Sequence, residues 1–225
     1  MRNQFRFNPT ALVIIILLFS LEISFIRSVG ANLFLILLGL IYLLINRVKL
    51  KTLGLMLLVS FPFALGTWLS FLLFSTNDNF HLAWIYTTRL YAYLLLGAAI
   101  TLTIHVKELL SSLHQHLKLS NTFTYGLLAA FNLLPRVQQQ VKTIHYAALI
   151  RGVEYHLWSP QLYFKSIVSA LNWSTDLAEA MTSHGFSEEF PRTESVKDEL
   201  PVWQPIVLML LFIAANVVYF TFKPW

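Results

Sequence analysis

The sequence predicts an all-α integral membrane protein with about five transmembrane helices and a cytoplasmic helical region between the last two. Three observations predict it. The 225 residues are 56% hydrophobic and only 12% charged, against about 25% charged in a soluble domain. Apolar runs recur near residues 11–26, 31–45, 53–74, 85–104 and 202–222, and in lipid such runs must satisfy their own backbone hydrogen bonds, as a helix does. Charge is also unevenly placed: residues 105–200 hold eight Lys/Arg and nine Asp/Glu, residues 1–104 hold seven and two, and residues 201–225 hold Lys223 alone. The middle block therefore has the water-facing surface, which divides the chain into 1–104, 105–200 and 201–225.

The net charge is +5. In a chain with a mean hydropathy of +0.63, that excess suits loops facing an anionic inner leaflet better than a nucleic-acid partner. There is no Cys, which excludes disulfides and thiolate metal sites. Arg2 and Arg6 precede the first apolar run, but no clean small-x-small cleavage site follows, so the run reads as a first span and not as a signal peptide.

The first two runs are short for spans and read as a tight helical hairpin around Arg27-Ser28-Val29-Gly30. Arg47, Lys49 and Lys51 then form a basic loop. The third run carries Pro62 as an expected kink, a polar loop without Lys or Arg follows at Ser75-Thr76-Asn77-Asp78-Asn79, and the fourth run starts near Ile85. Within the middle block, Phe123–Leu134 is apolar but too short to span, and is expected to be a separate packed or interfacial helix. With five spans, Arg2 and Arg6, the 47–51 loop and the 105–200 block fall on one side, and the 75–84 loop on the other. The positive-inside rule then makes the N-terminus and middle block cytoplasmic and the C-terminus external, with Arg27 a minor exception. Trp68, Trp84, Trp203, Trp225, Tyr86 and Tyr91 read as interfacial-belt residues.

Two amphipathic helices are expected in the middle block. The first runs from Arg136 to Arg151, with Pro135 in its first turn, where a missing N–H costs nothing. Val137, Val141, Ile144 and Ala148 share one face. Gly152 suits a left-handed cap, and Arg151 sits at the negative end of the helix dipole. The second runs from about Pro160 to His184, with Ile167, Leu171, Ser174, Ala178 and Met181 on one face, small Ala178 and Ala180 for close helix approach, and Gly185 as its cap. An Arg-Gly or His-Gly pair alone is a common helix ending, and an amphipathic helix alone is a common surface helix. Two such helices in tandem, in the one polar block between membrane spans, suggest a docking device.

These stretches resemble a known family. Ala147-Ala148-Leu149-Ile150-Arg151-Gly152 and Leu177-Ala178-Glu179-Ala180-Met181-Thr182-Ser183-His184-Gly185-Phe186 are similar to the two Ala-Arg-Gly signatures of the transmembrane T component (EcfT/CbiQ family) of energy-coupling factor transporters. Ile150 stands for the first motif's Ala, and Ser183-His184 for the second motif's Ala-Arg. The segment from Thr88-Arg89-Leu90 to Glu108-Leu109-Leu110 also resembles the family's span leading into the coupling region. The resemblance covers about residues 85–190. It implies a non-catalytic, multi-pass subunit of a prokaryotic cell (inner) membrane. Two ATPase subunits would dock on Ile150-Arg151-Gly152 and Ser183-His184-Gly185, and a separate membrane S component would bind the vitamin or metal ion. Imidazole titrates near neutral pH whereas guanidinium does not, so the second contact is expected to be weaker or pH-sensitive, fitting an asymmetric, fused or heterodimeric ATPase pair.

Other chemistry finds less support. The seven His residues include no pair four apart, so no metal site is expected. No Gly-Lys-Ser/Thr loop occurs, so ATP must be handled by a partner, and no other cofactor is indicated. Glu22, the one acid in an early span, supports the alternative of a small intramembrane metal- or carboxylate-dependent enzyme, although its place near a span end also suits a simple interfacial role. Arg89, near the start of the fourth run, suits either an interface anchor or a buried partner.

Overall fold

A computed structural model describes residues 7–74, 79–156, 158–187, 198 and 200–221. Arg2, Arg6, the Ser75–Asp78 part of the polar loop, Lys223 and Trp225 lie outside these. The described residues form eight helices: α1 Pro9–Phe25, α2 Val29–Ile45, α3 Leu50–Phe74, α4 Asn79–Thr101, α5 Val106–Leu117, α6 Asn121–Ile150, α7 Pro160–Ser183 and α8 Trp203–Thr221. The chain divides into two compact units, residues 1–116 with 198–225, and residues 117–197.

In the first unit α4 is the element that α1, α2 and α3 pack on, and α8 joins α1 and α2. Leu12, Ile16 and Phe19 of α1, Leu35 of α2, Leu96 of α4 and Leu208 of α8 share one core. Leu43, Leu53, Leu95 and Ala98 make a second core between α2, α3 and α4. α2 and α4 come close at Gly39, where a Cβ would lie 3.4 Å from that of Leu95, at van der Waals contact. Several polar groups among these apolar helices are paired across them, whereas Glu22 Oε2, Asn32 Oδ1 and Thr87 Oγ1 are buried without a hydrogen-bond partner among the described residues. Asn32, fully buried, donates from Nδ2 to the Ile85 carbonyl and to Thr88 Oγ1, both at 3.0 Å. Tyr93 donates to the Ser20 carbonyl at 3.0 Å. Most of α3 stays exposed, including Leu58, Phe63 and Leu73, as suits side chains meeting lipid.

α3 and α8 are long and apolar enough to cross a membrane, and the α4–α5 pair passes only as a span bent by 88°. α1 and α2, at 17 residues each, are shorter apolar helices. The bend comes where the chemistry changes: α4 ends in small and apolar residues, whereas α5 (Val-Lys-Glu-Leu-Leu-Ser-Ser-Leu-His-Gln-His-Leu) is amphipathic and buries Leu110 and Ser112. A helix of that kind favours an interface over the hydrocarbon.

The second unit is an antiparallel pair, α6 and α7. Here the structure corrects two expectations. Phe123–Leu134 and Arg136–Arg151 are not separate helices: α6 runs unbroken for 30 residues with Pro135 inside it. An internal Pro removes one backbone hydrogen bond and costs about 3 kcal/mol, but nothing in the flanking sequence stops the helix, and Ser120 starts it by accepting from the Phe123 N–H at 3.2 Å. The second correction concerns α7. Its face toward α6 carries Leu162, Ser166, Trp173, Leu177 and Met181, whereas Ile167, Leu171, Ser174 and Ala178 are exposed. α7 has two apolar stripes, and periodicity alone does not say which one meets the neighbour. On α6 the expected face holds: Val137, Val141 and Ile144 are half-buried and Ala148 is buried.

Candidate coupling site

The ends of α6 and α7 are built alike. In α6 the C-cap is Arg151 (φ −87°, ψ 5°), and in α7 it is His184 (φ −85°, ψ 11°). Gly152 and Gly185 follow with φ of +71° and +79°, a region open to Gly without a Cβ penalty. The next residue folds back in each case: the Val153 N–H donates to the Ala148 carbonyl at 3.0 Å, and the Phe186 N–H to the Met181 carbonyl at 2.9 Å. The glycine N–H groups bond Leu149 and Thr182 at 3.0 and 2.9 Å. Both ends are therefore Schellman caps, and Arg151 and His184 occupy the same position in each.

The caps are presented to solvent. Arg151, Gly152, Ser183, His184 and Gly185 are exposed, and Ile150 is 87% exposed. Neither the guanidinium of Arg151 nor the ring of His184 has a hydrogen-bond or ionic partner among the described residues. Ser183 turns its hydroxyl back to the Ala180 carbonyl at 2.8 Å. Ala178 and Ala180 are exposed, and no described helix uses them for close approach. Ala178 instead lines a shallow hollow with Thr175, Glu179, Thr182 and Ser183 beside the second cap.

α6 and α7 are braced along their length. Arg136 lies 4.4 Å from the centre of the Trp173 ring, Gln140 donates to Ser169 at 3.4 Å, and the Tyr125 and Phe186 rings meet edge-on at 6.3 Å. Because the helices are antiparallel, the two caps fall at opposite ends of the pair. The 24 residues of α7 separate them by about 36 Å at 1.5 Å per residue. They present two separate exposed tips, one with a guanidinium and one with an imidazole.

A family model, CbiQ, described as a cobalt transport protein, matches residues 4–195. The chain belongs to the CbiQ family. This is the EcfT/CbiQ family that the two cap motifs resemble, and it is a family of membrane transport proteins. A comparison with curated proteins gives no match. Among the described residues of this CbiQ-family chain, no three His, Asp or Glu side chains come together.

Sequence reasoning missed a second polar feature of the CbiQ-family chain, in the first unit. Asn8 caps α1, and its buried side chain accepts from the Thr10 N–H at 3.0 Å and from Ser112 at 2.9 Å. It donates to Asp198 at 2.7 Å, and its own N–H donates to Gln204 at 2.7 Å. Asp198 in turn lies 3.3 Å from His116 Nε2, and its backbone N–H donates to Gln115 Oε1 at 2.7 Å. His116 and Asp198 are the positions at which the chain leaves and re-enters the first unit. This clasp therefore brings those two positions of the first unit side by side. Asn8-Pro9 was legible as a helix start, but its partners are 104 to 196 residues away. Arg89, also singled out from sequence, caps the other end of α1: it donates to the Ile26 carbonyl at 2.5 Å and lies over Tyr86.

Proposed function

We propose that this CbiQ-family protein is the T component of an ATP-driven energy-coupling factor uptake transporter. It joins two ATPase subunits, or a fused or heterodimeric ATPase, to a substrate-binding S component in the cell membrane. The observation that carries the reading is the pair of matching caps, each offering one unpaired side chain at an exposed helix tip about 36 Å apart. Two separated, similar contact points suit two similar partners. A fixed guanidinium such as that of Arg151 suits an acidic groove. His184, without the guanidinium fork, supplies the weaker contact.

α1–α4 and α8 act as five spans, α1 and α2 by thinning the bilayer or packing as a hairpin. The basic loop at Arg47, Lys49 and Lys51 and the 117–197 unit face the cytoplasm. The cargo is a vitamin or metal ion, and the family description favours cobalt. The S component, not this chain, selects it.

The test is co-purification of the tagged chain with the ATPases encoded beside it. Wild type recovers them, and Arg151→Glu loses them. Recovery of folded wild type without any ATPase overturns the reading.

A further inference from the structure

A groove of about 350 Å³ lies among α1, α2, α4 and α8 of the first unit. Leu12 and Ile16 of α1, Phe34, Leu38 and Tyr42 of α2, and Leu208 of α8 line it, and every lining residue is apolar or aromatic. A polar site could hold water, but an apolar one of this size stays dry and forfeits dispersion contacts unless hydrocarbon fills it. Along α2 the lining runs from Phe34 to Ile45, about 16 Å at 1.5 Å per residue. That is about half of the 30 Å hydrocarbon core, the depth of one leaflet.

The α2 end of the groove leads in sequence into a basic turn. Two residues beyond Ile45 the chain turns at Arg47 (φ 53°), and Arg47, Lys49 and Lys51 are all exposed. None of these three side chains has a hydrogen-bond or ionic partner among the described residues. At the same end the Phe7 ring packs 5.9 Å from both Tyr42 and Trp203, the kind of aromatic cluster found at headgroup level.

We propose that this groove binds one acyl chain of an anionic phospholipid, with the headgroup phosphate held by Arg47, Lys49 and Lys51. The length of the groove selects a single-leaflet chain, its lining selects hydrocarbon, and the basic turn selects negative charge. A bound lipid then fills the space between α1, α2 and α8 that the protein's own side chains leave open. The proposal is independent of the coupling role.

Native mass spectrometry of the full chain tests it, after reconstitution with phosphatidylglycerol, phosphatidylcholine or oleate. The expected result is one phosphatidylglycerol retained per chain, at least tenfold above phosphatidylcholine. Leu38→Trp, which fills the groove, abolishes retention. The triple variant Arg47→Gln, Lys49→Gln, Lys51→Gln, which leaves the groove intact, lowers it at least tenfold. Equal retention of the two phospholipids, or retention unchanged by Leu38→Trp, overturns the proposal. Oleate held as tightly as phosphatidylglycerol assigns the site to a free fatty acid and overturns the phospholipid. A photo-crosslink from Ile41, on the groove's rim, to a partner subunit in the assembled complex overturns it in favour of a protein occupant.

Discussion

Gly152 and Gly185 hold the backbone at φ +71° and +79°, where any other L-residue pays about 1–2 kcal/mol. No heavy atom outside their immediate chain neighbours comes within 4 Å of where a Cβ would stand, so the penalty at these positions is conformational and not a clash. Gly152→Ala and Gly185→Ala should each destabilise their cap by about 1 kcal/mol and redirect the side chain before it. Thermal unfolding should shift only slightly while ATPase recovery falls. A large loss of folding with recovery unaffected would contradict a docking role for the caps. His184 permits a sharper test. A guanidinium there would supply the fork of donors that suits an acidic groove, so His184→Arg should strengthen the second contact and raise recovery of the ATPases several-fold. Recovery that is lower in His184→Arg than in wild type would argue against an acidic partner at that cap.

α6 and α7 bury little against each other: Thr124, Ala148, Leu162 and Ser166 are their fully buried residues. Discrete braces therefore matter more than they would in a thick core. Trp173→Ala should remove the Arg136 stacking, worth about 0.5–2 kcal/mol, together with ring burial. Limited proteolysis of the 117–197 unit should accelerate several-fold while the first unit stays resistant. In the first unit, Asn8→Ala should leave Gln204 bonded to the backbone, Thr10 bonded to Ser112 and Asp198 beside His116, but remove the three side-chain bonds that Asn8 makes to Ser112, the Thr10 N–H and Asp198. Unsatisfied buried polar groups cost about 1–3 kcal/mol each, so the melting temperature in detergent should fall by several degrees. No change would mean that water replaces the clasp at no cost.

For the whole molecule, the first unit packs on α4, and within it His116 and Asp198, the residues that flank the 117–197 unit in the chain, lie side by side. The five-span arrangement predicts that reporter fusions at residue 120 lie on the cytoplasmic side and fusions at residue 77 on the other. A reporter at 120 outside the cell would reverse the proposed topology.

Much of this protein was legible in its residues because the relevant physics is short-range. Apolar run length shows membrane helices, and a Gly after an amphipathic run shows a left-handed cap. The face of Val137, Val141, Ile144 and Ala148 follows from helical period alone, and the paired caps carried the family resemblance. Packing decided the rest. Whether Pro135 begins a helix or lies within one depends on whether the chain on both sides finds support. Which stripe of α7 turns inward depends on α6, since Ile167 and Leu171 are as apolar as Leu162 and Leu177. The Asn8 clasp, the Arg89 cap on α1 and the apolar groove join residues far apart in the chain, and no local pattern encodes such meetings. They arise only when helices of nearly uniform apolarity settle on one way of fitting side by side.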